Sequence, residues 1–508
     1  MNINDVAKSM TKESFEQFVE NCRNPKKAEA LKWDYLRKIF THGQHWTEKT
    51  RGRDLSKLSI VDFPITEYTD YQAAIKKSTT TGICPFTGEK ILFFADSAGT
   101  TSLPKIFPIT EIYRIDYQQT QEPFIHSLAN RHSGFMNQGI LYLAAVDTGK
   151  IGPLGIKSGY ISHFNYLQMP DNISCHYALP KEVFADEYKF QKWAPVYALQ
   201  KDISAIFAVT GQTIINLVDY IKENTEEILK KLEGKIPTPK FLPPITISTE
   251  RLEFLRKVLS SDFIDFEKIW PGLNFISTWT SSIAGLLTHE LQVRFPKTPV
   301  VDAIYSATEA WMNVPLYDTK AGGPLCHNAM IAEFIPVGKE IKKENLLRSW
   351  ELEAACDYEI FITNSMGLIR YRLHDVVRCD SHYHSSPEIH FRQKAGNTIS
   401  LITLRLSESQ ILAALIQSGI TQYGQLKVAP AHDGAGLELA VSEEIASGLK
   451  IDCFDEKLGE INPYYKEERA SMHLKPARLK VLPSMHPCFG VGHMHAQSKP
   501  KILMQEPF

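Results

Sequence analysis

The sequence is poor in cysteine, and its eight cysteines (Cys22, Cys84, Cys175, Cys326, Cys356, Cys379, Cys453 and Cys488) are scattered, with no C-x-x-C pair among them. That excludes a disulfide scaffold and favours reduced thiols in a reducing compartment. Long hydrophobic runs are missing too. The apolar stretch around Ile283–Leu287 falls far short of the roughly 18 residues a membrane helix needs. The opening MNINDVAKSMTKESFEQF has no apolar signal core, and the end carries no prenylation or retention tail. Charge of one sign is not in excess either: 56 Lys+Arg against 58 Asp+Glu leaves a net −2, no basic field for nucleic acid. Fixed-period repeats and low-complexity segments are absent, as are the G-x-S-x-G, H-E-x-x-H and Walker A motifs. The expectation is a soluble cytoplasmic protein with neither a nucleic-acid nor a membrane partner.

What is present is an ordinary globular composition, 43% apolar and 22% charged over 508 residues. At about 150 residues per domain that suggests about three domains or subdomains. The chain to about Leu58 reads as helical, with Leu31, Tyr35, Leu36 and Ile39 at helical spacing. Turn chemistry follows over 59–75, then a strand pair turning at Pro85–Gly88 with ILFFA as its second strand. Residues 203–233 give a strong helical signal through Ile214, Leu217, Val218, Ile221, Ile228, Leu229 and Leu232, with a Glu226–Lys230 pair and a stop at Gly234. The proline-rich KIPTPKFLPPITI reads as a surface excursion inside one domain. From 270 to 380, β-rich runs alternate with helices, which argues for an α/β core. Composition shifts near Ser400, and Ser407-x-x-Gln410 opens a new amphipathic helix through a capping box. We therefore expect an α/β protein: a large multi-subdomain N-terminal domain over 1–400 and a smaller α+β C-terminal domain over 401–508 on a hinge.

Three stretches could carry chemistry. Ser97-Ala98-Gly99-Thr100-Thr101-Ser102-Leu103-Pro104-Lys105 follows a strand; its small and hydroxylated residues can bend and present N–H groups and hydroxyls to phosphate, with Lys105 to neutralise charge. A plain Ser/Gly/Thr turn would look the same. Tyr305-Ser306-Ala307-Thr308-Glu309 delivers a ring, a hydroxyl and a carboxylate together, and a lone carboxylate can hold Mg²⁺ with phosphate and water completing the shell. The alternative is an exposed strand end. Gly367 to Asp375 alternates as a strand ending at an aspartate, which can accept from both hydroxyls of one ribose or pair with Arg370 or Arg372.

In this order and with their flanks, these stretches resemble the signature set of the adenylate-forming superfamily of acyl-CoA synthetases, adenylation domains and luciferases. FFADSAGTTSLPKIFPIT, IYSATEAW, YEIFITNSMGLIRYRLHDVVR, EIHFRQKAGNTISL, LRLSESQ and FDEKLGEINPYYKEER are similar to the Gretchen Hagen (auxin-responsive promoter) acyl-acid amido synthetases. The resemblance implies a ligase that activates a small carboxylic acid with ATP and Mg²⁺ as an acyl-adenylate, then passes it to an amine, usually an amino acid. It assigns Ser97, Gly99, Thr100, Thr101 and Lys105 to the phosphate loop and Tyr305 to adenine. Thr308 would touch the α-phosphate, Glu309 would hold Mg²⁺ and Asp375 the ribose. Arg392 would lie at the hinge beside the nucleotide. Lys499 resembles the late lysine that enters the site during adenylation. Such chemistry needs alignment and charge neutralisation rather than a protein nucleophile.

The departures from the pattern are Ala98 for serine, Ser102 and His374 for glycines, Arg405 for lysine, and Ala310-Trp311 for a smaller start. If the glycine before the ribose-binding aspartate needs positive φ, His374 costs about 1–2 kcal/mol. Two alternatives stand beside the amide reading: transfer to a thiol such as coenzyme A or a carrier protein, and a degenerate nucleotide binder without turnover. Two histidine–cysteine groups, Cys379/His382/His384/His390 and His486/Cys488/His493/His495, match no zinc spacing and read as solvated loops. Tyr113, Tyr117 and Phe124 could line an acyl pocket, with buried core as the plainer reading.

Overall fold

The computed structural model describes residues 3–97, 105–169, 171–261, 264–401, 404–420, 425–446, 449–470, 472–489, 502–504 and 506–508. Gly99, Thr100, Thr101 and Lys499, with Ala98 and Ser102, lie outside the described residues. Among those described, the chain up to Lys394 builds three sheets. The first is parallel, ordered Gly139–Leu143, Ile203–Ala208, Phe275–Thr278 and Val300–Asp302. Parallel neighbours require crossovers, and helices Gly211–Glu223 and Ile283–Arg294 supply them. Both faces are covered, so Phe275–Thr278 is buried at every position.

The second sheet is antiparallel. Met330–Pro336, Cys356–Asn364, Tyr371–Tyr383 and Ser386–Lys394 pair in succession, with the short strands Leu347–Arg348 and Gly323–Pro324 at the edges. The α/β alternation expected over 270–380 therefore stops at Asp302, and an antiparallel meander takes over. In the third sheet Phe93–Asp96 pairs with Ile106–Ile109, Phe93 opposite Ile109 and Asp96 opposite Ile106. The Ser97 N–H donates to the Lys105 carbonyl at 2.8 Å.

Three further expectations are corrected. Residues 68–81, placed partly in turns, form the helix Tyr68–Thr81, closed by Gly82 at φ 69°. The strand Phe93–Asp96 pairs forward rather than back across the Pro85–Gly88 turn, where only the Ile83–Lys90 bridge forms. Ile203–Ala208 is a strand, because a six-residue apolar run bears no period that separates it from a helix. The helical face from Ile214 onward is as expected, split between Gly211–Glu223 and Thr225–Leu232, with Lys230 and Glu226 2.6 Å apart. Gly234 follows at φ 72°. On helix Pro25–Phe40 the buried face is Ala28, Lys32, Trp33, Leu36, Ile39 and Phe40, whereas Leu31 and Tyr35 face solvent. The proline-rich segment stays with its domain: Leu242 is buried in the core of the parallel sheet and Pro243 accepts from the Tyr197 hydroxyl.

After Lys394 the ribbon Thr398–Ser400/Arg405–Ser407 leads into helix Glu408–Gln417, whose capping box forms as read, Gln410 N–H donating to Ser407 Oγ at 3.3 Å. The sheet Leu426–Pro430, Leu437–Ser442, Arg478–Leu482 follows. Residues from Ile399 to Leu503 pack into a hydrophobic cluster of their own. Among the described residues no helix is long and apolar enough to cross a membrane.

Candidate active site

Past Val300–Asp302 the chain turns tightly through Tyr305–Glu309, closed locally by the Ala307 N–H donating to the Ala310 carbonyl at 2.8 Å and held by groups from elsewhere in the fold. Asn313 accepts from the Tyr305 N–H at 2.8 Å, and the Met312 N–H donates to the Tyr305 carbonyl at 2.9 Å. Asn364 donates to the Glu309 carbonyl at 2.6 Å, and the Tyr113 hydroxyl donates to the Thr308 carbonyl at 2.9 Å. Helix Glu111–Arg131 thus holds the turn from behind. Tyr113, Tyr117 and Phe124 are all buried on it.

Asp375 comes from the strand Tyr371–Tyr383, at a register shift beside Val376. Its carboxylate is buried, 3% exposed, and lies next to the Tyr305 turn. The Tyr305 hydroxyl donates to Asp375 Oδ2 at 2.7 Å, and Lys394, directly opposite in the ladder, sets its ammonium against Oδ1. The alternative pairing with the strand's own arginines does not occur. Arg370 forks onto Glu333 at 2.8 and 2.9 Å and reaches the Phe63 carbonyl, while Arg372 holds Glu359 and Glu67. His374, one residue before, sits at φ 57°, the left-handed region expected of that position.

Glu309 is 7% exposed and shares this chamber. Burial pushes its pKa up, while the Lys394 and Lys105 charges pull the other way. The Tyr371 hydroxyl reaches Glu309 Oε1 at a long 3.4 Å, and Lys105 donates to that hydroxyl at 3.2 Å. Lys105 also lies over the rings of Tyr68 and Tyr371, 5.5 and 5.7 Å from their centroids. Burial works against the Lys394 ammonium, yet Asp375, with help from Glu309, holds its pKa above the ordinary lysine value. The structure therefore brings together Lys105, Tyr305, Thr308, Glu309 and Asp375, and adds Lys394, Tyr371 and Tyr68. The first two additions lie inside the sequence stretches already singled out; Tyr68, in an ordinary helix, gave no signal.

A buried carboxylate with one long hydrogen bond and two nearby lysines has lone pairs to offer a hard cation, so Glu309 fits Mg²⁺. The Cys379/His382/His384/His390 group does not gather, and His493 and His495 of the second group lie outside the described residues. Cys379 Sγ contacts the Ser381 carbonyl at 3.6 Å, and His390 pairs with Asp380 at 2.6 Å. Among the described residues no group of three or more His, Cys, Asp or Glu could hold a metal ion. Arg392 sits further out, lining a cleft between the large domain and helix Glu408–Gln417. Next to Glu309, Ala310 is buried and Trp311 meets the Tyr117 ring edge-on at 4.7 Å. Tyr142, Tyr166 and Tyr177 stack on one another close by, with centroids 5.3–5.7 Å apart.

Comparison with known proteins bears on this geometry. The GH3 family N-terminal domain model matches residues 16–300, and the GH3 family central domain model matches 323–394. The indole-3-acetic acid-amido synthetase GH3.2 of Arabidopsis thaliana is 20% identical over 515 residues, 90% of this chain and 92% of that protein. The probable indole-3-acetic acid-amido synthetase GH3.9 of Oryza sativa subsp. japonica is 22% identical over 229 residues, 42% of this chain and 52% of that protein. Among solved structures, the AtGH3.15 acyl acid amido synthetase in complex with 2,4-DB superposes with TM-score 0.81 at 15% identity, covering 97% of this chain and 94% of that one. The fold is shared along nearly the whole length.

Proposed function

The chain belongs to the GH3 family, and on that premise we propose that it is an ATP-dependent ligase joining a small carboxylic acid to the amine of an amino acid through an acyl-adenylate. The observation that carries the proposal is the convergence of Glu309, Asp375, Tyr305 and Lys105, distant in sequence, on one buried chamber beside the strand pair Phe93–Asp96/Ile106–Ile109.

In this reading Asp375, oriented by Tyr305, accepts from the ribose hydroxyls, and the Tyr305 ring packs on adenine. Thr308 touches the α-phosphate. Ser97, Gly99, Thr100, Thr101 and Lys105 surround the phosphates, with Lys105 anchored by Tyr371 so that its charge faces them. Glu309 holds Mg²⁺, which would supply neutralisation of phosphate charge. The acid's carboxylate attacks the α-phosphorus and pyrophosphate departs. The amine then attacks the acyl carbonyl, AMP leaves, and the amine's proton passes to solvent. Nothing here requires a protein nucleophile; rate comes from alignment and preset charge. Trp311 and Tyr117 beside the Glu309 turn favour an acid bearing a flat apolar group, in keeping with relatives named for indole-3-acetic acid and substituted benzoates.

We place the domain boundary near Ser400, supported by the separate hydrophobic cluster from Ile399 to Leu503. Lys499 belongs to the smaller domain in this reading and meets the phosphates during adenylation. The cytoplasm suits a chain whose cysteines are unpaired.

ATP–pyrophosphate exchange over a panel of aromatic and aliphatic acids, followed by mass spectrometry of products with mixed amino acids, tests the proposal. Exchange with an acid and an amide product are expected. No exchange with any acid together with no ATP binding by calorimetry would overturn it. A coenzyme A thioester in place of the amide would move the acceptor to a thiol.

A further inference from the structure

The amide reading needs a place for the acceptor beside the nucleotide chamber. A cleft of about 260 Å³ lies at the seam between the two domains. Its large-domain wall is Thr280, Ser282, His390, Phe391 and Arg392; its other wall is helix Glu408–Gln417, through the exposed Ile416 with Ala413 and the largely buried Leu412. The cleft adjoins the nucleotide chamber, because Phe391 packs its ring 5.7 Å from that of Tyr305.

The charges around the cleft are unequal in their engagements. Lys105 is bound to Tyr371, Lys394 to Asp375, and His390 to Asp380. The Arg392 side chain has neither a hydrogen-bond nor an ion-pair partner among the described residues, although its Nε is buried. A guanidinium left with a desolvated N–H is costly unless an anion completes it. Its planar fork matches a carboxylate. Beyond it the cleft offers apolar surface and hydroxyls but no second free cation among the lining residues.

We infer that this cleft is the acceptor subsite: Arg392 clamps the α-carboxylate of an amino acid, and Phe391, Leu412, Ala413 and Ile416 receive an apolar side chain. This rests on the amide-forming reading above. It gives Arg392 a role in the second half-reaction rather than in holding the nucleotide. It also specifies the acceptor class as amino acids with one carboxylate and an apolar side chain, since an acidic side chain would meet no second cation.

The two half-reactions separate the possibilities. With an acid that supports exchange, Arg392→Gln should leave ATP–pyrophosphate exchange within about twofold and raise KM for L-leucine about tenfold or more, the loss expected for one charge-assisted pair. The wild type should use L-leucine at least about tenfold better than L-leucinamide or L-aspartate, and Arg392→Gln should lose the preference over leucinamide. Arg392→Lys should recover part of the leucine KM. Normal exchange in Arg392→Gln doubles as proof that it folds. A variant that loses exchange, or raises KM for ATP, would assign Arg392 to the nucleotide and overturn the inference. So would a wild type indifferent to the carboxylate or preferring aspartate. If the wild type shows no exchange with any acid, the underlying reading falls and the inference with it.

Discussion

His374 holds a backbone conformation that side chains avoid, φ 57°, immediately before the buried carboxylate of Asp375. Its imidazole has little to recover the strain: it is 38% exposed and 3.7 Å from Glu67. Relieving a left-handed residue is worth about 1–2 kcal/mol, and the extra freedom of an unfolded glycine takes back about 0.5–1 kcal/mol. His374→Gly should therefore raise stability by about 0.5–1 kcal/mol, read as a higher urea midpoint with unchanged slope; an unchanged or lower midpoint would mean the strain is relieved some other way. Asp375→Ala acts on the same strand with the opposite intent. In the proposed reading it would remove the acceptor for two ribose hydroxyls, and it takes away the counter-charge of Lys394. ATP binding by calorimetry should weaken about tenfold or more, at the scale of hydrogen bonds to a charged group. Both residues were legible in the sequence, because His-Asp in place of Gly-Asp marks a backbone demand as well as a carboxylate, although the strand expected to end there runs on to Tyr383. Lys394 was not, since its role depends on standing opposite Asp375 in a ladder whose register bulges twice.

Elements were legible where a period or a cap spoke, and misread where neither did. The capping box at Ser407 and the stop at Gly234 are local chemistry, and both form. The strand Ile203–Ala208 is decided by the distant neighbours Gly139–Leu143 and Phe275–Thr278, which no window contains, whereas Phe93–Asp96 had an apolar partner available on either side and took the one after it. Helix Pro25–Phe40 shows a further consequence of packing that sequence conceals. It lays Glu29 against Arg348 at 3.0 Å, and Arg348 also faces Glu333, itself forked by Arg370. Burial pushes the Glu29 pKa up to about 7, with Arg348 pulling it down and Glu333 and Glu351 pushing it further up. A carboxyl raised above its unfolded value binds its proton more tightly in the native state. It therefore favours folding at low pH, and that contribution is lost as pH rises from about 4.5 to about 7. Glu29→Gln should flatten this portion of the stability–pH profile, leaving stability near pH 5 little changed and raising it near pH 8. Urea midpoints across pH 5–8 measure it, and an unaltered slope would show that Glu29 is ionised throughout.

At the scale of the whole molecule, the proposed reaction would need the two domains to meet. Chamber residues come from three places in the large domain: the hairpin closed by Ser97 and Lys105, the turn after the parallel sheet, and the antiparallel strand of Asp375. Their order along the chain was readable from local residue patterns, although Asp375 lies inside the strand Tyr371–Tyr383 and not at the strand end expected there. Their convergence was readable only through resemblance, since it requires two sheets of different topology to present their edges to one space. The seam to the smaller domain is fastened polar group by polar group, Ser409 N–H to Gln393 Oε1 at 3.1 Å and Asn397 Nδ2 to Glu408 at 2.9 Å, bonds that water can replace. Such an interface resists motion less than a shared apolar core would. In the proposed reading, a lysine brought by the smaller domain would act on the transition state without contributing to ground-state affinity, because nucleotide would bind the large domain before the two close. Lys499→Ala should accordingly slow ATP–pyrophosphate exchange about a hundredfold, the scale of a lost charge on the developing phosphate, while ATP affinity stays within about twofold. Exchange at the wild-type rate in that variant would remove Lys499 from adenylation, and equal losses in exchange and affinity would mean that it holds the nucleotide from the start.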